Sequence, residues 1–163
     1  MKTLETARLR LRPRTIQDLD EIMAMDTNPE VRRYFTGPFD PVAHRNDVQA
    51  NIHNGAKPGE WRWVIEWLGS PGFLGQCGVR ASHLPDVSEL SWRLVPSAWG
   101  QGIASEAGAA MIGYLRGEAG IGPLTALIHP DNAASLTVAR KLGLRPAGET
   151  IAWNARQIIY RLD

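Results

Sequence analysis

The residues best suited to chemistry form one short run, Trp99-Gly100-Gln101-Gly102-Ile103-Ala104. Glycines there let the backbone curl so that successive N–H groups point into one concavity. A helix opening just after Gly102 adds its own unsatisfied N–H groups and the positive end of its dipole. Together they make an anion site sized for a phosphate or pyrophosphate. The plainer reading of the same run is a loop that needs glycine for a tight turn. A second run, Asn132-Ala133-Ala134-Ser135, follows downstream. An amide and a hydroxyl one helical turn apart share a face and can hydrogen-bond a polar ligand. Asp131 and Asn132 are also good N-cap residues, and taken alone the cap is the simpler reading. The pairing with the glycine loop upstream favours a ligand role.

Two familiar phosphate motifs fail on this loop. A P-loop requires Gly-Lys-Ser/Thr, and Gly102 is followed by Ile103. A dinucleotide fingerprint needs a third glycine where Ser105 stands, and no acid follows at a suitable distance in a strand.

The elements that must position these runs are legible from periodicity. Arg8-Leu9-Arg10-Leu11-Arg12 alternates as a strand with Leu9 and Leu11 on its buried face. Thr15 then caps a helix over 16–26, with Asp18 and Asp20 in its first turn. Asn28-Pro29 breaks it, a short helical turn follows to Tyr34, and residues 41–54 form a further exposed helix. The run 61–67 is rich in aromatic and β-branched residues and reads as a strand, with Trp61, Trp63 and Trp67 on one face. Ser70-Pro71-Gly72 is expected as its turn and 73–80 as its hairpin partner. Residues 88–95 alternate as another strand, stopped by Pro96. Ile103, Ala107, Ala110, Met111, Tyr114 and Leu115 fall on one face of a helix that ends near Gly120. A short strand over 124–128, a helix from Asp131-Asn132 closed by Gly143, and final strands over 144–148 and 151–162 complete the chain. The order predicts a mixed α/β (α+β) sheet with helices on both faces, in one domain spanning 1–163.

Composition excludes several function classes. The 163 residues carry a net charge of +1. Charge is even along the chain, with nine Lys and Arg against nine Asp and Glu in residues 1–60. No basic arm supports nucleic-acid or membrane binding. Cys77 stands alone, so no internal disulfide is possible, and mid-strand it reads as a small buried residue. No run approaches a membrane span, and the charged start lacks a signal-peptide pattern, so a cytoplasmic protein is expected. His44, His53, His83 and His129 show no paired metal spacing, and no metal is expected.

The loop resembles the acetyl-CoA motif of the GNAT superfamily, Gln/Arg-x-x-Gly-x-Gly/Ala, with Gly102 and Ala104 in place and Trp99 in the first position. Residues 99–107, Trp-Gly-Gln-Gly-Ile-Ala-Ser-Glu-Ala, are similar to a form found in the branch of ribosomal-protein alanine N-acetyltransferases. Asn132-x-x-Ser135 with Lys141-Leu142-Gly143-Leu144 resembles a second motif of that branch, as do the opening strand over 6–12 and the run 89–94. The resemblance spans nearly the whole chain.

It implies a GNAT fold, with a twisted, mostly antiparallel sheet, and acetyl transfer from acetyl-CoA to a primary amine without a covalent enzyme intermediate. Gly100, Gln101, Gly102, Ile103, Ala104 and Ser105 would hold the phosphates. Leu94 and Val95, at the end of the central strand, would supply backbone groups to the thioester and pantetheine. Asn132 and Ser135 would meet the polar arm and the sulfur, with Ser135 stabilising or protonating the departing thiolate. Glu89 is the candidate base acting through water; a carboxylate at a strand start is as readily a solvated charge. An α-amine, with a reference pKa of about 7.7–8.0, needs less help from a base than a lysine at about 10.4. The acceptor is a protein N-terminus or a small-molecule amine such as an antibiotic, polyamine or amino acid; a non-catalytic acyl-CoA-binding module is the reading from another class. Nothing in the sequence fixes the oligomeric state. If the loop is the cofactor site, Gly102→Val abolishes acetyl-CoA binding while the protein stays folded, and isothermal calorimetry showing unchanged affinity would remove the assignment.

Overall fold

The computed structural model describes residues 1–54, 60–82 and 84–163. The loop expected at 56–59 and His83 lie outside the described residues. Among the described residues eight strands form one sheet: β1 (Leu4–Glu5), β2 (Leu9–Pro13), β3 (Trp61–Trp67), β4 (Ser70–Ala81), β5 (Ser88–Leu94), β6 (Leu124–Ile128), β7 (Arg145–Ala152) and β8 (Ala155–Leu162). Their spatial order is β1-β2-β3-β4-β5-β6-β8-β7. Every neighbouring pair is antiparallel except β5 and β6, which are parallel. The helices are α1 (Leu19–Thr27), α2 (Pro29–Arg32), α3 (Pro41–His53), α4 (Ile103–Gly117) and α5 (Ala133–Lys141). This is the mixed sheet that the sequence order predicted.

Strand alternation divides the side chains between two layers. Leu9, Leu11, Trp63, Ile65, Cys77 and Val79 pack with Ile103, Ala107, Met111 and Leu115 of α4 in the main core. Each large side chain buried there contributes about 1.5–3 kcal/mol. Burial pushes the Cys77 thiol up to about 12, so it stays protonated. A methyl group on Gly108 would come within 2.7 Å of Leu142, so the bare helix face lets α5 lie close against α4. A smaller apolar cluster, Leu19, Ile22, Met23 and Val48 with Ile52 and Phe73, joins α1 and α3 to β4.

Several boundaries differ from the sequence expectation. The helix expected over 16–26 begins as a single 3-10 turn at Ile16–Asp18 before α1. Asp18 stands in that first turn, as expected, and is also buried. Its carboxylate accepts from Thr15 N at 2.6 Å and takes both ends of the Arg12 guanidinium, at 2.7 and 2.9 Å. Arg12 also donates to Glu66 at 3.0 Å, tying β2, β3 and the entry to α1 together. The hairpin after β3 turns at Leu68-Gly69, where Gly69 takes φ 79, and Ser70 already pairs with Trp67. The two-residue loop needs a positive φ that Pro71 cannot supply. β5 ends at Leu94 and α4 at Gly117. The last hairpin turns at Trp153 and Asn154, both at positive φ, whereas the break expected at 149–150 is paired strand, Glu149 with Ile158 and Thr150 with Gln157, and the irregularity of register in β7 falls between Pro146 and Glu149.

Burial alone would raise the Asp18 pKa, but the hydrogen bonds from Arg12 and Thr15 outweigh it and hold it below the ordinary carboxylate value. A depressed folded pKa means stability that is present at neutral pH and lost as pH falls below about 4. Asp18→Ala should lose about 2 kcal/mol in urea unfolding at pH 7, because Arg12 keeps Glu66 and some solvent, and the difference from the parent should shrink in titrations taken toward pH 3.

Candidate active site

β5 and β6 pair only at Ser88↔Leu124 and Glu89↔Thr125, and then separate. On its other side β5 is paired with β4 from Ser88 to Leu94. Successive residues of an antiparallel strand turn their backbone groups alternately toward and away from the partner. Val95 N donates to the Leu74 carbonyl at 3.0 Å. Leu94 therefore turns its backbone toward the gap, and Trp99 Nε1 reaches its carbonyl there at 3.0 Å. Of the two strand-end residues expected to meet a thioester arm, Leu94 directs its N–H away from β4 toward the gap and Val95 has its own committed to the sheet.

Beyond the strand, Gly100 and Gly102 take φ 75 and 77, a left-handed conformation that a β-carbon strains. Gly102 is the N-cap of α4, no side chain caps it, and the first intrahelical bond runs from Glu106 N to the Gly102 carbonyl. The N–H groups of Ile103, Ala104 and Ser105 thus lack helical partners. Ile103 places its side chain in the core, leaving only its backbone for a ligand. Gln101 folds its amide back to the Ser97 carbonyl at 2.8 Å. Its own carbonyl accepts from Arg8 at 3.1 Å. Arg8 is clasped by Glu106, with Nε 2.7 Å from Oε2, and Thr6 Oγ1 donates to the other carboxylate oxygen at 2.5 Å. Burial works upward on Glu106, but these bonds hold its pKa below the usual range. The clasp stakes the loop to the first hairpin. The sequence presents its members about 100 residues apart, with no local signal that they meet. Uncapped amides at α4 and an open strand edge are the donors that a pyrophosphate and an amide-bearing arm require, so acetyl-CoA fits this groove.

Asn132 and Ser135 sit across the same gap. Asn132 Oδ1 accepts from Ser135 N at 3.1 Å, so the helix cap is real. Ser135 Oγ accepts from Trp92 Nε1 at 3.3 Å, which leaves its own proton to donate. His129 accepts from Asp131 N at 3.2 Å, and its ring lies 5.5 Å from Tyr34.

Ser135 and Asn132 also line a cavity of about 580 Å³ that extends over the opposite face of the sheet, beneath α1 and α3. Residues 100–105 lie outside it, beyond the end of β5. Glu89 lines it and is 3% exposed, not a solvated charge. Arg80 donates to Glu89 Oε1 at 2.6 and 3.2 Å, while Oε2 is buried with no hydrogen-bond partner among the described residues. Arg93 donates to Asp26 Oδ1 at 2.5 Å. His44 Nε2 lies 2.8 Å from the other oxygen and, facing a carboxylate, donates to it. Burial works upward on Asp26, and His44 and Arg93 bring its pKa below the usual value. Trp92 and Trp153 form two of the walls. Thr36 donates to the Trp153 carbonyl at 2.8 Å, which ties the β7–β8 hairpin to the loop before α3. Sequence reasoning missed Arg62, Arg80, Arg93, Asp26 and His44, although the arginines occupy the polar phase of strands whose apolar phase was legible.

The profile of the acetyltransferase (GNAT) domain matches residues 8–145. The Bacillus subtilis protein YkkB is 32% identical over 160 residues, covering 96% of this chain and 93% of that one. The spermidine N(1)-acetyltransferase of Escherichia coli K12 is 27% identical, over 86% of this chain and 75% of its own. A solved GNAT-family acetyltransferase from Bacillus anthracis superposes with a TM-score of 0.83 over 98% of this chain and 97% of that one, at 23% identity. The chain belongs to the GNAT acetyltransferase family and is an N-acetyltransferase.

The cap and the hydroxyl separate experimentally. Asn132→Ala should cost about 1 kcal/mol of stability, because it removes the Ser135 N–H bond. Ser135→Ala removes no cap, so stability should stay within about 0.5 kcal/mol while thiol release from acetyl-CoA slows. Urea titration and a thiol-release assay on both variants check the pair of outcomes.

Proposed function

We propose that the protein transfers the acetyl group of acetyl-CoA to a primary amine by direct attack in a ternary complex, with Glu89 and Ser135 on either side of the reacting atoms. The observation that carries this reading is that Glu89 and Ser135 line one cavity, each with a free proton-accepting or proton-donating position. Bound acetyl-CoA supplies an acyl carbon activated as a thioester. The Leu94 N–H faces the developing oxyanion from the strand edge. Glu89 Oε2 accepts, through a water, the proton that the amine sheds as its nitrogen bonds to the acyl carbon. Arg80 fixes the carboxylate by holding its other oxygen. Ser135 donates its hydroxyl proton toward the sulfur as the carbon–sulfur bond breaks. The amides of Ile103, Ala104 and Ser105 hold the pyrophosphate, and Asn132 meets the pantetheine arm through the amide nitrogen that its cap does not use.

Two acceptors remain in play. The likeness of residues 99–107 to the ribosomal-protein alanine N-acetyltransferases supports an α-amine at a protein N-terminus. The cavity of about 580 Å³ supports a small-molecule amine, since that volume lies within the range of small-ligand pockets. Both share the same chemistry at Glu89.

Glu89→Gln should lower turnover and flatten the acidic limb of the pH–rate profile, with acetyl-CoA affinity intact. The drop should be larger for a lysine-like amine than for an α-amine, because the former is more fully protonated at neutral pH. Near-normal turnover at every pH with both amine types would remove Glu89 from the reaction.

A further inference from the structure

We propose that the acceptor amine also carries an oxyanion, a carboxylate or a phosphate, and that Arg62 receives it inside the cleft. The inference rests on the acetyltransferase reading and adds the class of acceptor.

Arg62 lies on β3, on the face that bears the cleft, and lines the cavity. The strand beneath it has been emptied to seat it. A β-carbon at Gly78 would stand 2.8 Å from both Arg62 Cδ and Nη1, and 2.2 Å from the Trp61 carbonyl oxygen. Any side chain at position 78 would displace the guanidinium. Nη1 donates to Ser91 Oγ of β5 at 3.0 Å. That one bond uses one of five N–H donors. Among the described residues no carboxylate forms an ion pair with Arg62, nor with Arg14 or Arg32 on the same cleft, whereas Arg80 is paired with Glu89 and Arg93 with Asp26.

The cleft as a whole has the same bias. Arg14, Arg32, Arg62, Arg80 and Arg93 line it, against Asp26, Asp47, Glu60 and Glu89. Asp26 and Glu89 are already taken, and Asp47 is exposed on α3. Glu60 attracts Arg62 and Arg14 without pairing with either. Burial pushes the Arg62 pKa down to about 10; repulsion from Arg80, Arg14 and Arg93 adds to that, and Glu60 opposes it only weakly. A half-buried guanidinium held among three others, attracted only by Glu60 and in no ion pair among the described residues, leaves its fork open to a planar oxyanion, the bidentate partner that its geometry matches. The site is also close to the chemistry. Ser91 precedes Trp92, whose indole reaches Ser135, and Leu94 is three steps further along the strand from Ser91, about 10 Å. The same field repels a polycation, so spermidine, the acceptor named for one relative, is a poor fit here.

The test reads discrimination within matched pairs of acceptors by thiol release at saturating acetyl-CoA. The pairs are alanine with alaninamide and phosphoethanolamine with ethanolamine; spermidine is the cationic control. For at least one pair, the ratio of kcat/KM between the oxyanion-bearing and the neutral amine should fall about tenfold in Arg62→Gln, with the loss in KM. Intrinsic amine reactivity and any general loss of activity cancel in that comparison. The pair that responds tells carboxylate from phosphate. Arg62→Lys should recover only part of the ratio, and melting temperatures establish that both variants are folded. Calorimetric titration of N-acetylalanine and of inorganic phosphate, with CoA present, should show one of them binding the parent about tenfold more tightly than Arg62→Gln. Turnover that ignores Arg62 in both pairs, or a preference for spermidine, overturns the proposal and leaves the acetyltransferase reading standing. If no amine is turned over, that reading fails separately, and titrations in which neither anion distinguishes the parent from Arg62→Gln overturn the assignment of Arg62.

Discussion

The contact on which the rest depends is the parallel join between β5 and β6, which lasts for two residue pairs. On either side of it stand antiparallel arrays that need nothing from each other. β5 is paired along its length with β4, and β6 along its length with β8. Each strand has its other edge free to diverge, and an unpaired edge is normally a liability that a fold covers. Here it is a row of donors and acceptors facing a gap, with the free amides of α4 beyond one end and the start of α5 across from it. The gap between the two strands is a consequence of where pairing stops.

The second consequence of the sheet is the division of labour between its faces. The same strands that send Leu9, Leu11, Trp63 and Cys77 into the core under α4 send Arg10, Arg12, Arg62 and Gln76 to the other side. A charged layer against helices is costly unless it is paired. Arg12 with Asp18 and Glu66, Arg80 with Glu89, and Arg93 with Asp26 supply that pairing and hold the cleft open in a fixed shape. Burial of the one apolar layer is what makes the opposed polar layer possible.

Much of this was legible because the relevant physics is local. The alternation of 8–12 and 88–94 and the helical stripe of α4 each follow from a period of the chain alone. The boundaries that moved were set by neighbours. The turn at Leu68-Gly69 is fixed by the pairing of Trp67 with Ser70, and the register irregularity in β7 by its fit to β8. Asp18 has the composition of a helix start, and only the arrival of Arg12 from the preceding strand makes it a buried ion-pair partner.

The sequence by itself determined the elements, the glycine loop with its positive-φ positions, and the Asn132 cap of α5, because these depend on spacing within a few turns of chain. The tertiary structure alone decided that Glu106 clasps Arg8 and Thr6 across the chain, that Val95 turns its N–H into the sheet while Leu94 faces the gap, and that Glu89 is buried beside Arg80 with one oxygen free. It also decided that Arg62 has Gly78 beneath it and no carboxylate partner among the described residues. These are matters of which strands lie side by side and where they part, and strand partnership is a long-range choice that no local period encodes.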